Sequence, residues 1–134
     1  MDLSPVEQIA QLAPNMATEL IRSHLASFGI TGTLGLRPNY LLSGGQKTRV
    51  ALAAIVFKNP HILLMDEPTN HLDIDAVNAL ALALNSFNAG LVIVSHDQHF
   101  VEMVCSQIYV VNDGKCTMFK GNFADYRKYV RSGL

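Results

Sequence analysis

The stretch Leu42-Ser43-Gly44-Gly45-Gln46-Lys47-Thr48-Arg49 and, after thirteen intervening residues, Leu63-Leu64-Met65-Asp66-Glu67-Pro68-Thr69-Asn70-His71-Leu72-Asp73 decide how this chain is read. The first places Ser-x-x-Gln, a capping box, directly before an apolar helical run, so Ser43 starts a helix and Gln46 is its third residue. The spacing predicts a helix to about Lys58, with Val50, Ala53, Ala54 and Phe57 inward and Asn59-Pro60 as its stop. The second stretch is a continuous apolar run over 61–65 that ends on two acids. Such a run suits a parallel strand covered on both faces.

Working outward, Asp73 can cap a helix from Ile74 to about Phe87, striped by Val77, Leu80, Ala81 and Leu84. Leu91 to Val94 is expected to form a second buried strand. A short helix from about Gln98 to Cys105 carries Phe100, Val101 and Val104. Asn112-Asp113-Gly114 predicts a hairpin between 108–111 and 115–119. Asn122 caps a last helix of about Phe123 to Arg131. Strand alternating with helix over the middle of the chain indicates a parallel α/β sheet.

Residues 1–40 read differently. Ser4-Pro5-Val6-Glu7 is a capping box with proline at the first helical position. A second helix is expected over 18–28, with Leu20, Ile21, Leu25 and Phe28 inward and Gly29 as its stop. Thr31 to Tyr40 is a connector. This gives two segments, a helical one over 1–40 and an α/β one over 41–134.

Composition narrows the class. Over 134 residues, 49% are apolar and only 16% charged, below the roughly 25% of an ordinary soluble domain. Part of the apolar surface is therefore expected to be covered by something else. Ten basic residues against eleven acidic ones make no cationic field for nucleic acid. Cys105 and Cys116 have no metal spacing, and a reducing, cytoplasmic setting is expected. No run approaches the roughly 20 apolar residues of a membrane helix. No basic region precedes an apolar stretch at the start, so no secretory signal is expected.

Three places can carry chemistry. At a helix start the backbone N–H groups lack partners, and glycines let an anion come close, so Ser43, Gly44, Gly45 and Gln46 suit a phosphate. The tetrapeptide by itself reads sooner as a plain cap and a tight turn, since serine is a common N-cap. Asp66 and Glu67 fall at the C-terminal edge of a parallel sheet, where such sheets bind ligands. Asp66 can hold Mg²⁺ and Glu67 can polarise a water, although an isolated Asp-Glu is usually a solvated turn. His96, in Ser95-His96-Asp97 after the second strand, can hydrogen-bond a terminal phosphate or simply sit exposed near a helix cap.

Taken together and in this order, these motifs resemble the ABC ATPase cassette. Leu42 to Gln46 matches its signature, Ile62 to Glu67 its Walker B strand, Asn70 to Asp73 its D-loop and His96 its switch histidine. The details Gly45 to Ala53, Asp66 to Asp73 and Gly121-Asn122-Phe123-Ala124-Asp125-Tyr126 are similar to the ABC-F group, in particular the second cassette of a Gcn20-like member. The resemblance implies an incomplete P-loop NTPase fold, a helical subdomain followed by mostly parallel strands flanked by helices and a C-terminal hairpin. It implies ATP and Mg²⁺ as ligand and cofactor, a second cassette as partner, and work on ribosomes rather than in a membrane. It also distributes roles. Ser43, Gly44, Gly45 and Gln46 would face the nucleotide seated on the partner cassette. Asp66 would serve the metal, Glu67 and His96 the reaction, and Asp73 the coupling between sites.

One element of the pattern is not found. A phosphate loop needs Gly-x-x-x-x-Gly-Lys-[Ser/Thr]. The single Gly-Lys, Gly114-Lys115, is followed by Cys116 and has Tyr109 where the first glycine belongs. The resemblance therefore implies the C-terminal part of a cassette, with that loop expected ahead of Met1 and little or no ATPase activity expected of these residues alone. A non-hydrolysing binding module and the ATPase subunit of a transporter are the alternative readings.

Overall fold

The computed structural model describes residues 2–133. Helix α1 spans Pro5–Leu12 and α2 spans Thr18–Ser27; two short 3-10 turns, Gly32–Leu36 and Asn39–Leu41, lead to α3 at Gly44–Phe57. Then follow β1 (Ile62–Asp66), α4 (Ile74–Asn85), β2 (Gly90–Val94), α5 (Gln98–Val104), β3 (Tyr109–Asn112), β4 (Lys115–Met118) and α6 (Phe123–Arg131).

Local chemistry sets most of these boundaries. The Ser4 hydroxyl accepts from the Glu7 N–H, while the Glu7 carboxylate accepts from the Ser4 N–H at 2.7 Å. The same reciprocal pair closes the start of α3 through Ser43 and Gln46, and the start of α6 through Asn122 and Asp125. Each satisfies two N–H groups that the helix cannot. Asp113 and Gly114 both have left-handed backbone, with φ of 49° and 71°, as a two-residue hairpin turn requires.

Helices α1 and α2 pack on each other and on α3. Ile9, Ile21, Leu25 and Phe28 from the first pair share one apolar cluster with Val50 and Ala53 of α3, Leu80 and Leu84 of α4, and Phe100 of α5. Ile9, Leu25, Ala53 and Phe100 are fully buried. Each large side chain so buried contributes about 1.5–3 kcal/mol. Leu20 does not join them and is 60% exposed. It lies about 100° around the helix from Ile21, too far to share the face that carries Ile21, Leu25 and Phe28.

β1 and β2 pair in parallel, with Ile62 opposite Gly90 and Asp66 opposite Val94. β3 and β4 form a separate antiparallel hairpin. The expectation of strands covered on both faces is corrected here. Leu63 and Met65 face the core, but Leu64 is 74% and Val92 53% exposed. Alternate side chains leave a strand on opposite faces, and among the described residues only one face of this pair meets the core cluster. The other face carries Ile62, Leu64, Val92 and Val94 bare.

Candidate functional site

The start of α3 is built to leave two donors free. Ser43 has extended backbone, with ψ of 163°, and its Oγ accepts from the Gln46 N–H at 3.2 Å. Gln46 Oε1 accepts from the Ser43 N–H at 3.0 Å. The Thr48 hydroxyl donates to the Gly44 carbonyl at 3.1 Å. The amides of Gly44 and Gly45 have no partner among the described residues. A Cβ on Gly44 would meet nothing within 4 Å, so the backbone there is open to approach.

Gly45 faces inward. A Cβ on it would lie 3.8 Å from the Ala76 Cβ and 3.8 Å from Leu72 Cδ2. The N-terminus of α3 therefore rests against the N-terminus of α4, where Asp73 Oδ1 accepts from the Ala76 N–H at 2.8 Å. Two positive helix ends share one patch. Nothing in the sequence placed Leu72 and Ala76 beside Gly45.

The second locus lies at the C-terminal edge of the parallel pair. Asp66 ends β1 and is exposed. Glu67 follows with φ of +47°, in the left-handed region, and its N–H donates to the Val94 carbonyl at 2.7 Å. That turn directs the Glu67 side chain across to the loop after β2. Glu67 Oε2 accepts from the His96 N–H at 3.3 Å, and Oε1 lies 3.3 Å from His96 Nε2. Oε1 is shielded from solvent yet makes no properly aligned hydrogen bond, while the His96 side chain is 97% exposed. A covered carboxylate oxygen with spare acceptor capacity beside an open imidazole suits a water or the edge of a phosphate. Asp97 next in line caps α5 through the Phe100 N–H.

Sequence reasoning thus finds its residues in two places. Ser43, Gly44, Gly45, Gln46 and Asp73 fall at the paired helix starts, and Asp66, Glu67 and His96 at the strand ends. No hydrogen bond or ion pair joins the two places among the described residues. Nor does any group of three or more His, Cys, Asp or Glu form a metal cage among them. Asp66 and Glu67 still fit Mg²⁺, which takes one or two carboxylates and completes its shell with water and phosphate oxygens.

Residues 3–70 match the family model described as ABC transporter. The chain belongs to the ABC family of ATP-binding cassettes. The cassette is 48% identical over 134 residues to ABC transporter F family member 3 of Arabidopsis thaliana. It is 50% identical over 132 residues to protein GCN20 of Saccharomyces cerevisiae, and 42% identical over 127 residues to ATP-binding cassette sub-family F member 3 of mouse. These matches take in 98%, 97% and 95% of the chain but 19%, 18% and 18% of the relatives. Its relatives are thus ABC-F members, and it spans about a fifth of their length. In structure, 98% of the chain superposes on 57% of cbiO1 from Clostridium perfringens, part of the ABC transporter complex cbiONQ, with a TM-score of 0.72 and 26% identity. The α/β arrangement is accordingly a partial P-loop ABC fold. Among the described residues no helix is long and apolar enough to cross a membrane.

A cleft of about 530 Å³ lies between β2, α5, β3 and α6, with Val94, His96, Tyr109, Tyr126 and Arg127 in its walls. Cys105 also lines it, and burial raises its thiol pKa. Sequence reasoning did not find this cleft, since its walls come from four elements spread over 93–131.

Proposed function

We propose that this chain supplies the signature and acidic elements of an ABC-F ATPase, and that ATP is bound and hydrolysed when a complete pair of cassettes forms, in work linked to the ribosome. The contact that carries this reading is Glu67 to His96 at the ends of β1 and β2. It provides one covered carboxylate to accept a proton and one exposed imidazole to donate a hydrogen bond.

The roles divide by place. Glu67, fixed by its N–H on Val94, orients an attacking water and takes its proton. His96 donates to the terminal phosphate. Asp66 stands where Mg²⁺ would bind; when bound, that ion neutralises phosphate charge. The Gly44 and Gly45 amides, with Ser43 and Gln46 holding the turn, face a nucleotide carried by a second cassette. Asp73, which caps α4 through the Ala76 N–H, couples the two surfaces. Residues 1–40 act as a helical subdomain and 41–134 as the distal core.

The bare face of β1 and β2 supports the need for further polypeptide. Parallel sheets are stable when both faces are covered. Identities of 42–50% to ABC-F members, against 26% to a transporter component, support the ABC-F reading over the transporter one. A reducing, cytoplasmic setting fits it.

ATP binding and turnover of the 134-residue chain, measured beside a full cassette pair containing it, test the proposal. Turnover in the pair that Glu67→Gln abolishes, with negligible turnover in the chain alone, is the expected result. Low-micromolar Mg-ATP affinity of the isolated chain, or a pair indifferent to Glu67→Gln, overturns it.

A further inference from the structure

Gly29 ends α2 with φ of +77°, and a Cβ there would lie 2.5 Å from Arg49 Nη1 and 3.7 Å from Arg49 Cζ. The guanidinium of Arg49 thus fills the space that any side chain at position 29 would take. The left-handed backbone is what calls for glycine here, and a Cβ would in addition have to displace the end of the Arg49 side chain.

Arg49 is in the second turn of α3. Its Nε donates to the Gly45 carbonyl at 3.4 Å. The N–H of the same peptide group belongs to Gln46 and donates to Ser43 Oγ. The Gly45–Gln46 peptide is held at both ends, and the amides directly before it are the unpaired ones of Gly44 and Gly45. The ion pairs among the described residues are His96–Glu67 and Arg127–Glu102, so Arg49 is not committed to a carboxylate there. A second tie lies one turn further along α3, where His24 Nε2 sits 2.7 Å from the Ala53 carbonyl. The end of α2 therefore meets α3 twice, through His24 on the Ala53 carbonyl and through the Arg49 guanidinium lying over Gly29, and the same Arg49 side chain reaches the Gly45 carbonyl within α3.

We propose that Arg49 is a positioning residue: braced on Gly29, it sets the direction of the Gly44 and Gly45 amides through the Gly45 carbonyl. The proposal rests on the reading that these amides receive a phosphate. A lysine carries the same charge but lacks the planar fork that can lie on Gly29 and reach Gly45 together.

The test is amide NMR of the chain, free and titrated with sodium tripolyphosphate at millimolar concentration, for the wild type and for Arg49→Ala, Arg49→Lys and Gly29→Ala. In the free protein all three variants should move the Gly44, Gly45 and Gln46 resonances more than those in the last turn of α3. Tripolyphosphate binding should weaken about 2- to 10-fold, the range spanned by one hydrogen bond. Arg49→Lys behaving as wild type, or Arg49→Ala lowering Tm with those three resonances unmoved, overturns the proposal. A wild type whose Gly44 and Gly45 amides ignore tripolyphosphate refutes the phosphate reading instead, and the free-protein shifts still decide the role of Arg49.

Discussion

Glu67 and His96 are 29 positions apart in sequence, yet the backbone N–H of His96 donates to Glu67 Oε2 and its Nε2 stands 3.3 Å from Oε1. Parallel pairing of β1 with β2 brings both to one edge. The histidine side chain is almost wholly in solvent, so the ion-pair part of this contact adds little to stability. Its value is in placement.

Glu67→Gln and His96→Ala should therefore leave Tm nearly unchanged while lowering ATP turnover of a complete cassette pair by about 10²- to 10⁴-fold, the span of general acid–base contributions. Thermal melts beside single-turnover assays check this. A large fall in Tm with turnover retained would assign the pair a structural task.

Gly44→Ala separates the plain-cap reading of α3 from the anion reading. Its Cβ would enter empty space at negative φ, so folding should be unaffected or favoured by about 0.4–1 kcal/mol. A methyl group beside the open amides should nonetheless obstruct a phosphate. Greater stability with weaker nucleotide-dependent pairing of cassettes is the expected outcome, measured by denaturant melts and by analytical ultracentrifugation with Mg-ATP.

The bare strand face predicts self-association of the isolated chain. Leu64 and Val92 are exposed and apolar on the same side of the sheet. Replacing both, as Leu64→Thr with Val92→Thr, should shift the chain toward monomer in light scattering while helix content by circular dichroism holds.

Acid should loosen α1 before the core yields. Glu7 has its pKa lowered from 4.5, first by the backbone N–H of Ser4 and then by the Ser4 hydroxyl. A carboxylate lowered in the folded state contributes stability above its unfolded pKa and loses it as pH falls through the folded one. Fraying of α1, followed by amide NMR, should set in below pH 4.5. Ser4→Ala should produce it at neutral pH, at a cost of about 1 kcal/mol.

The two thiols should differ in rate. Cys116 is exposed, whereas Cys105 is half-buried with its pKa raised by desolvation. Because the thiolate is the reacting form, iodoacetamide at mildly alkaline pH should label Cys116 first, as mass spectrometry of timed aliquots would show.

Local order was readable because its causes are local. Ser4, Ser43, Asp73 and Asn122 cap helices through groups three residues away, and those spacings stand in the sequence. The hairpin turn at Asp113-Gly114 is of the same kind. Where the reading failed, packing was the reason. An apolar run such as 61–65 cannot say whether one face or two will be covered, and Leu20 was assigned to a face it does not share.

The sequence by itself determined the helices, their caps and the open glycine turn at the start of α3, because each depends on neighbours within about one helical turn. Tertiary structure alone decided that Glu67 meets His96, that Gly45 rests on Leu72 and Ala76, and that Arg49 fills the space above Gly29. Those contacts join residues 20 to 31 positions apart (Gly29 to Arg49, Gly45 to Ala76). They arise only when burial of the shared core brings separate elements together, and no local spacing encodes that.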